Sequence, residues 1–133
     1  MNNPDLVKYR LGRAKSDLKL AIQRFEEYDL ETAANRAYYS IFHSMRTVLA
    51  LESKDFKKHS AVISYFNKHY IKTKIFPSNL YKLISEAQEV REENDYMDFF
   101  EPDYEETKKQ VESAELIYGL VEEYIKNKEH EHE

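Results

Sequence analysis

Cysteine is absent from the 133 residues, which excludes disulfides and thiolate metal sites and fits a reducing compartment. Glycine occurs only at Gly12 and Gly119, and proline only at Pro4, Pro77 and Pro102. Strand-rich folds need turn residues about every 8–12 positions, so this poverty points to a few long helices. No apolar run reaches the roughly 18 residues that a membrane span requires. Residues 1–5 hold no apolar core of a secretion signal, and a cytoplasmic location is the expectation. Also missing are a Gly-rich phosphate loop, a His-Glu-x-x-His zinc motif, an Asp-x-Asp calcium loop and a nucleophile elbow. No cofactor and no metal is therefore expected. His130 and His132 alternate with glutamates in a polar end that reads as solvated chain.

What is present favours helices. Charged residues make up 34% of the chain, with Lys, Glu and Arg, all good helix formers, prominent. Asn3, Pro4 and Asp5 form a helix start, after which Leu6, Val7, Leu11, Ala14, Leu18, Ala21, Ile22 and Phe25 recur at threes and fours. Gly12 inside this stripe suggests close helix approach. Asp29 caps a second helix whose face from Leu30 to Leu49 is so broadly apolar that it belongs at the centre of a bundle. Residues 52–58 read as a loop, 59–72 as a third helix, and the stretch after Phe76 and Pro77 as a fourth. Residues 94–102 lose the period and read as a loop. Tyr104, Thr107, Val111, Ala114, Tyr118, Val121 and Ile125 then form a heptad seam. The expected fold is all-α, an up-and-down bundle of four to five helices, with residues 1–127 as one domain and 128–133 as a polar, disordered tail.

The net charge is −5, the opposite of the basic surplus usual in proteins that live on phosphate backbones. Yet residues 54–74 carry six lysines against the single acid Asp55, either a local basic patch or a solvated face. Arg36, Tyr39 and His43 draw a polar line on the apolar second helix, because seven residues at about 100° each return to one face within about 20°. Two readings stay open: phosphate recognition with Arg36 on phosphate and His43 as donor or base, or a buried network that locks neighbouring helices. Lys58, His59 and Ser60 open the third helix, as an anion site or as caps. Arg91 stands among Asn94, Asp95, Tyr96, Phe99 and Phe100, as a ligand site, a subunit interface or a clamp with Asp95 or Asp98.

Together these stretches resemble the HEPN family of small helical domains. The carriers are the run from Ala34 to His43, Lys58-His59-Ser60, Phe66-Asn67-Lys68-His69, Ile75-Phe76-Pro77, the run from Arg91 to Tyr96, and the final heptad helix. The resemblance implies a homodimer that works beside a minimal nucleotidyltransferase in a toxin–antitoxin pair and binds nucleotide or RNA. Many family toxins are metal-independent RNases with an Arg-x(4–6)-His motif, in which His moves a proton and Arg stabilises phosphoryl charge. This chain departs from that motif: Tyr96, Met97 and Asp98 follow Arg91 where His is expected. Arg36 and His43 satisfy the count but lie on the wrong helix. The resemblance thus implies a nucleotide- or partner-binding module whose ligand residues are Arg36, Tyr39, His43, His59, Arg91, Asp95 and Tyr96. The alternatives are an RNase using non-standard groups (Arg91, Tyr96 or His43), a purely structural dimerisation module, or modification of Tyr96 by the partner transferase.

Overall fold

Asn3 caps the first helix, its side-chain oxygen accepting from Leu6 N at 3.2 Å, with Pro4 in the first helical turn. In this computed structural model, which describes residues 3–98 and 100–131, α1 spans Pro4–Glu26. It ends where Tyr28 takes a left-handed conformation (φ 61°) and Asp29 N donates back to Arg24 O. Asp29 then caps α2, Leu30–Ala50, by accepting from Thr32 N at 3.3 Å. Helix α3, His59–Phe66, runs on into a π-helical turn over Asn67–Ile71. Helix α4 spans Leu80–Tyr96 and α5 spans Tyr104–Glu131. No strand occurs among the described residues.

Helices α1 and α2 form an antiparallel hairpin, the most extensive pairing in the molecule. Helix α5 packs along both, α4 lies against α2 and α5, and α3 leans on α2. This is the up-and-down bundle that the long helices and short links implied. Helix α2 is central, with 14 of its 21 residues buried. Ile41, Met45, Val48 and Leu49 are fully buried, and each contributes about 1.5–3 kcal/mol through loss of apolar surface from water. Two buried hydroxyls on α2 are satisfied: Ser40 donates to Ala14 O (2.8 Å), across to α1, and Thr47 to His43 O (2.7 Å). The seam on α5 faces this core from Thr107 to Ile125, while Tyr104 at its head is half exposed.

Several local expectations are corrected. Residues 94–96 are the last turn of α4, which stops only where Met97 becomes extended (φ −97°, ψ 121°). An Arg91–Asp95 pair one turn apart supports that turn, and its apolar period fades because the turn faces solvent. Gly12 is exposed, and a methyl group there would meet nothing within 4 Å, so close helix approach is not its role. The polar end expected to be disordered continues α5 through Glu131, with Lys128 paired to Glu131 and lying over the Tyr124 ring. Phe99 and His132 lie outside the described residues.

Candidate functional site

Two linked groups of polar side chains lie along α2. The first ties α2 to α1. Arg36 Nη1 donates to Asp17 Oδ1 (3.0 Å), and its Nη2 donates to Asn35 Oδ1 (2.6 Å). His43 Nε2 approaches the other oxygen of Asp17 at 3.8 Å. Burial, reinforced by Arg13, Arg46 and Arg10, depresses His43 to about 4 despite the pull of Asp17. The imidazole is therefore neutral near pH 7, and its contact with Asp17 is not an ion pair. The line of Arg36 and His43 thus converges on a buried carboxylate from α1. That favours the helix-locking reading for these two residues.

The same hairpin holds a second clamp. Arg10, whose side chain is 7% exposed, donates from Nη1 to Arg46 O (3.2 Å) and from Nη2 to Asp55 Oδ2 (2.9 Å). Arg46 Nη2 donates to both oxygens of Asp55, at 3.2 and 3.0 Å. Partial burial pushes the Asp55 carboxyl up, but Arg46 and Arg10 outweigh it and hold the carboxyl below its usual range. Asp55 therefore pins the loop 51–58 onto α1 and α2. That loop carries Phe56 and Lys57 and delivers His59.

His59 begins α3, where Lys58 at the cap position makes no side-chain cap bond, and the His59 side chain turns to Tyr38 instead. Its ring stacks on Phe42 at 4.0 Å between centroids. Its Nδ1 shares a 2.8 Å hydrogen bond with the hydroxyl of buried Tyr38, in a direction set by the imidazole tautomer. Burial lowers the His59 pKa, and the charges of Arg91 and Arg46 lower it further, while burial raises Tyr38 to about 12. Arg91, reaching over from α4, lies 5.1 Å above the Tyr38 ring and 5.5 Å from that of Tyr39. On Tyr39 it meets Arg36, 5.3 Å from the same ring. Arg91 Nε is 3.2 Å from Asp95 Oδ2, yet the N–H is not aimed at the carboxylate and makes no hydrogen bond. The pairing is Coulombic, and the guanidinium of Arg91 donates no hydrogen bond to any described residue.

The structure thus brings Arg36, Tyr39, His43, His59, Arg91 and Asp95 into one contiguous cluster centred on Tyr39. Tyr96 stands apart, 74% exposed at the end of α4. Beside the cluster opens a crevice of about 460 Å³, lined by Phe42, Arg46, Asp55, Phe56, Lys57 and His59. Sequence reasoning missed Asp17, Arg10, Arg46 and Asp55. The only signal available was their acid–base complementarity, and the partners lie 19 positions apart for Arg36–Asp17 and 45 for Arg10–Asp55. An imidazole does stand near Arg91, and it comes from α3, not from the residues that follow Arg91 in the chain.

Comparison with known proteins supplies relatives. A "UPF0332 protein" of Thermotoga maritima is 29% identical over 122 residues, 92% of each chain. A protein of Methanocaldococcus jannaschii named "Putative toxin MJ0142" is 27% identical, over 89% of this chain and 80% of its own. A "UPF0332 protein PH1297" of Pyrococcus horikoshii is 34% identical over 71 residues, 53% of this chain and 50% of its own. The HEPN domain model matches residues 7–124, which reaches from the first turn of α1 into the later part of α5 and takes in every residue of the cluster. The chain belongs to the HEPN domain family.

Proposed function

We propose that this chain is a HEPN module that binds a nucleotide phosphate at Arg91, beside the crevice lined by His59 and Arg46, and that it works beside a minimal nucleotidyltransferase in a toxin–antitoxin pair. One observation carries the binding half: Arg91 is mostly buried over two tyrosine rings, with Asp95 at 3.2 Å as its ion-pair partner, yet its guanidinium donates no hydrogen bond to any described residue. A buried cation so placed gains most from an anionic ligand that its fork can grip. At the adjoining crevice Lys57 adds positive charge beside the Arg46–Asp55 pair, and the partly exposed Phe56 offers a ring on which a base can stack. The relative of M. jannaschii named a toxin supports the wider setting.

Isothermal titration with ATP tests this. Wild type is expected to bind, and Arg91→Ala to weaken binding tenfold or more, about 1.4 kcal/mol. Tyr39→Leu, which removes the ring beneath the guanidinium, should weaken it less. Absence of binding by wild type removes the nucleotide reading. Co-purification with a co-expressed minimal nucleotidyltransferase checks the partner.

A second reading, RNA cleavage, rests on the nearness of His59 to Arg91. A neutral imidazole can take the proton of a 2′-hydroxyl, while Arg91 stabilises charge on the phosphoryl group. It predicts cleavage of RNA that persists in EDTA and is lost in both His59→Ala and Arg91→Ala. Cleavage unchanged in both variants rules it out.

A further inference from the structure

A cavity of about 380 Å³ opens where α2 stops, and it shares no lining residue with the crevice beside Arg91. Three segments build it: Leu51 and Glu52 just past α2, Tyr70 and Ile75 from the π-helical turn and the chain after it, and Tyr124 and Lys128 on α5. Its volume lies within the roughly 300–1,000 Å³ of small-molecule sites. The backbone around it is unusual. Among the described residues three other than glycine take positive φ, and two of them adjoin this lining: Ser53 (φ 56°) follows Glu52, and Lys74 (φ 67°) precedes Ile75. Glycine is the usual residue at such positions, because a Cβ there crowds the backbone. The π-helical turn Asn67–Ile71 delivers Tyr70, and Phe76 N donates to Tyr70 O (2.8 Å), closing the turn that carries Ile75. Left-handed non-glycine residues and π-helical turns concentrate at functional sites.

The lining carries both signs of charge. Glu52 accepts from the hydroxyl of Tyr70, and from that of Tyr65 at 3.4 Å, and no Lys, Arg or His among the described residues pairs with it. Burial and the bond to Glu52 push the Tyr70 phenol far above its ordinary range, so Tyr70 stays the donor and Glu52 the acceptor. Lys128 lies 5.4 Å over the Tyr124 ring and pairs with Glu131 at 3.3 Å. Both members of that pair are exposed to solvent, so it is weak and a ligand can compete for the ammonium. His69, also in the lining, is taken up by stacking on Tyr65 at 4.2 Å. Leu51, the half-exposed Ile75 and the rings of Tyr70 and Tyr124, 6.3 Å apart and nearly perpendicular, supply an apolar wall. A carboxylate without a cation, an ammonium in a weak pair and an apolar wall complement one kind of small molecule: ammonium and carboxylate carried on one apolar frame.

We infer that this cavity binds a small zwitterion, an amino acid with an apolar carbon frame. Glu52 takes its ammonium, Lys128 takes its carboxylate, and the frame lies against Leu51 and Ile75. This site is separate from the nucleotide-binding reading above and does not depend on it.

The test is isothermal titration with L-leucine, whose charges are adjacent, and 6-aminohexanoate, whose charges stand at opposite ends. The N-acetyl and amide derivatives of each remove one charge at a time. Wild type should bind at least one parent compound, and the preferred one reports how far apart Glu52 and Lys128 hold the two charges. N-acetylation and amidation should each weaken binding tenfold or more. Glu52→Gln, which keeps an acceptor for Tyr70, should weaken the parent tenfold or more yet bind the N-acetyl derivative as wild type does. Lys128→Gln should weaken the parent likewise and leave the amide derivative unchanged. A merely structural effect of either variant would not follow these pairings. Arg91→Ala should leave binding here unchanged, so failure at this cavity and failure of the nucleotide reading are told apart. The inference is overturned if wild type binds neither parent compound, or if both variants bind the parent as wild type does. It is overturned too if the amide binds as tightly as the parent, because the cavity would then take a simple cation.

Discussion

His43 lies between one carboxylate and three guanidiniums, and the balance sets a pH dependence. Burial and the charges of Arg13, Arg46 and Arg10 hold it at about 4, against a pull upward from Asp17. An unfolded histidine titrates near 6.5, so the unfolded chain takes up this proton well before the folded one. The associated stability is present above about pH 6.5 and is lost as pH falls towards 4. The shift corresponds to roughly 3–4 kcal/mol. Urea unfolding at pH 7, 6 and 5 should show that decline, and His43→Gln should flatten it. No change of slope in the variant would mean that the imidazole is solvated in the folded protein. The residue types at this site were legible in the sequence, because Arg36, Tyr39, His59 and Arg91 are unusual on apolar helices. Their partners were not. Nothing local distinguishes Asp17 or Asp55 from the other acids until the hairpin and the loop bring them to Arg36, Arg10 and Arg46.

The loop 51–58 depends on Asp55 more than on any apolar anchor. Asp55→Asn leaves the guanidinium of Arg10, 7% exposed, without its carboxylate, while Asp55 itself is half exposed. The expected cost is about 1–2 kcal/mol, between the values for surface and buried pairs, with faster proteolysis within 51–58. Urea titration and limited proteolysis check both, and an unchanged cleavage pattern would show that the loop is held by Phe56 instead. In the helices, both glycines are exposed in mid-helix, where an added methyl group meets nothing within 4 Å. Gly12→Ala and Gly119→Ala should each stabilise the protein by about 0.5–1 kcal/mol, read as a higher urea midpoint. Helix starts at Asn3 and Asp29 were readable because caps are local chemistry. The end of α4 was misread because a solvent-facing turn carries no apolar period, although the Arg91–Asp95 pair still supports it.

At the scale of the molecule, self-association and ligand binding are separable. The homodimer that the family resemblance implies predicts sedimentation at twice 15.9 kDa, and a monomer at micromolar concentration would remove it. Nucleotide binding by a chain of net charge −5 should weaken steeply with salt, because only the local cations beside the crevice hold it. The amino-acid sequence by itself determined the helical class, the central place of α2 and the heptad face of α5. Each of these follows from spacing along one segment and the requirement to bury its apolar side. The tertiary structure alone decided that His59 of α3 meets Arg91 of α4 on the rings of α2, and that Asp17 claims Arg36. Those are meetings between segments far apart in the chain. Such pairings are fixed by how whole helices pack, and no local pattern of residues encodes them.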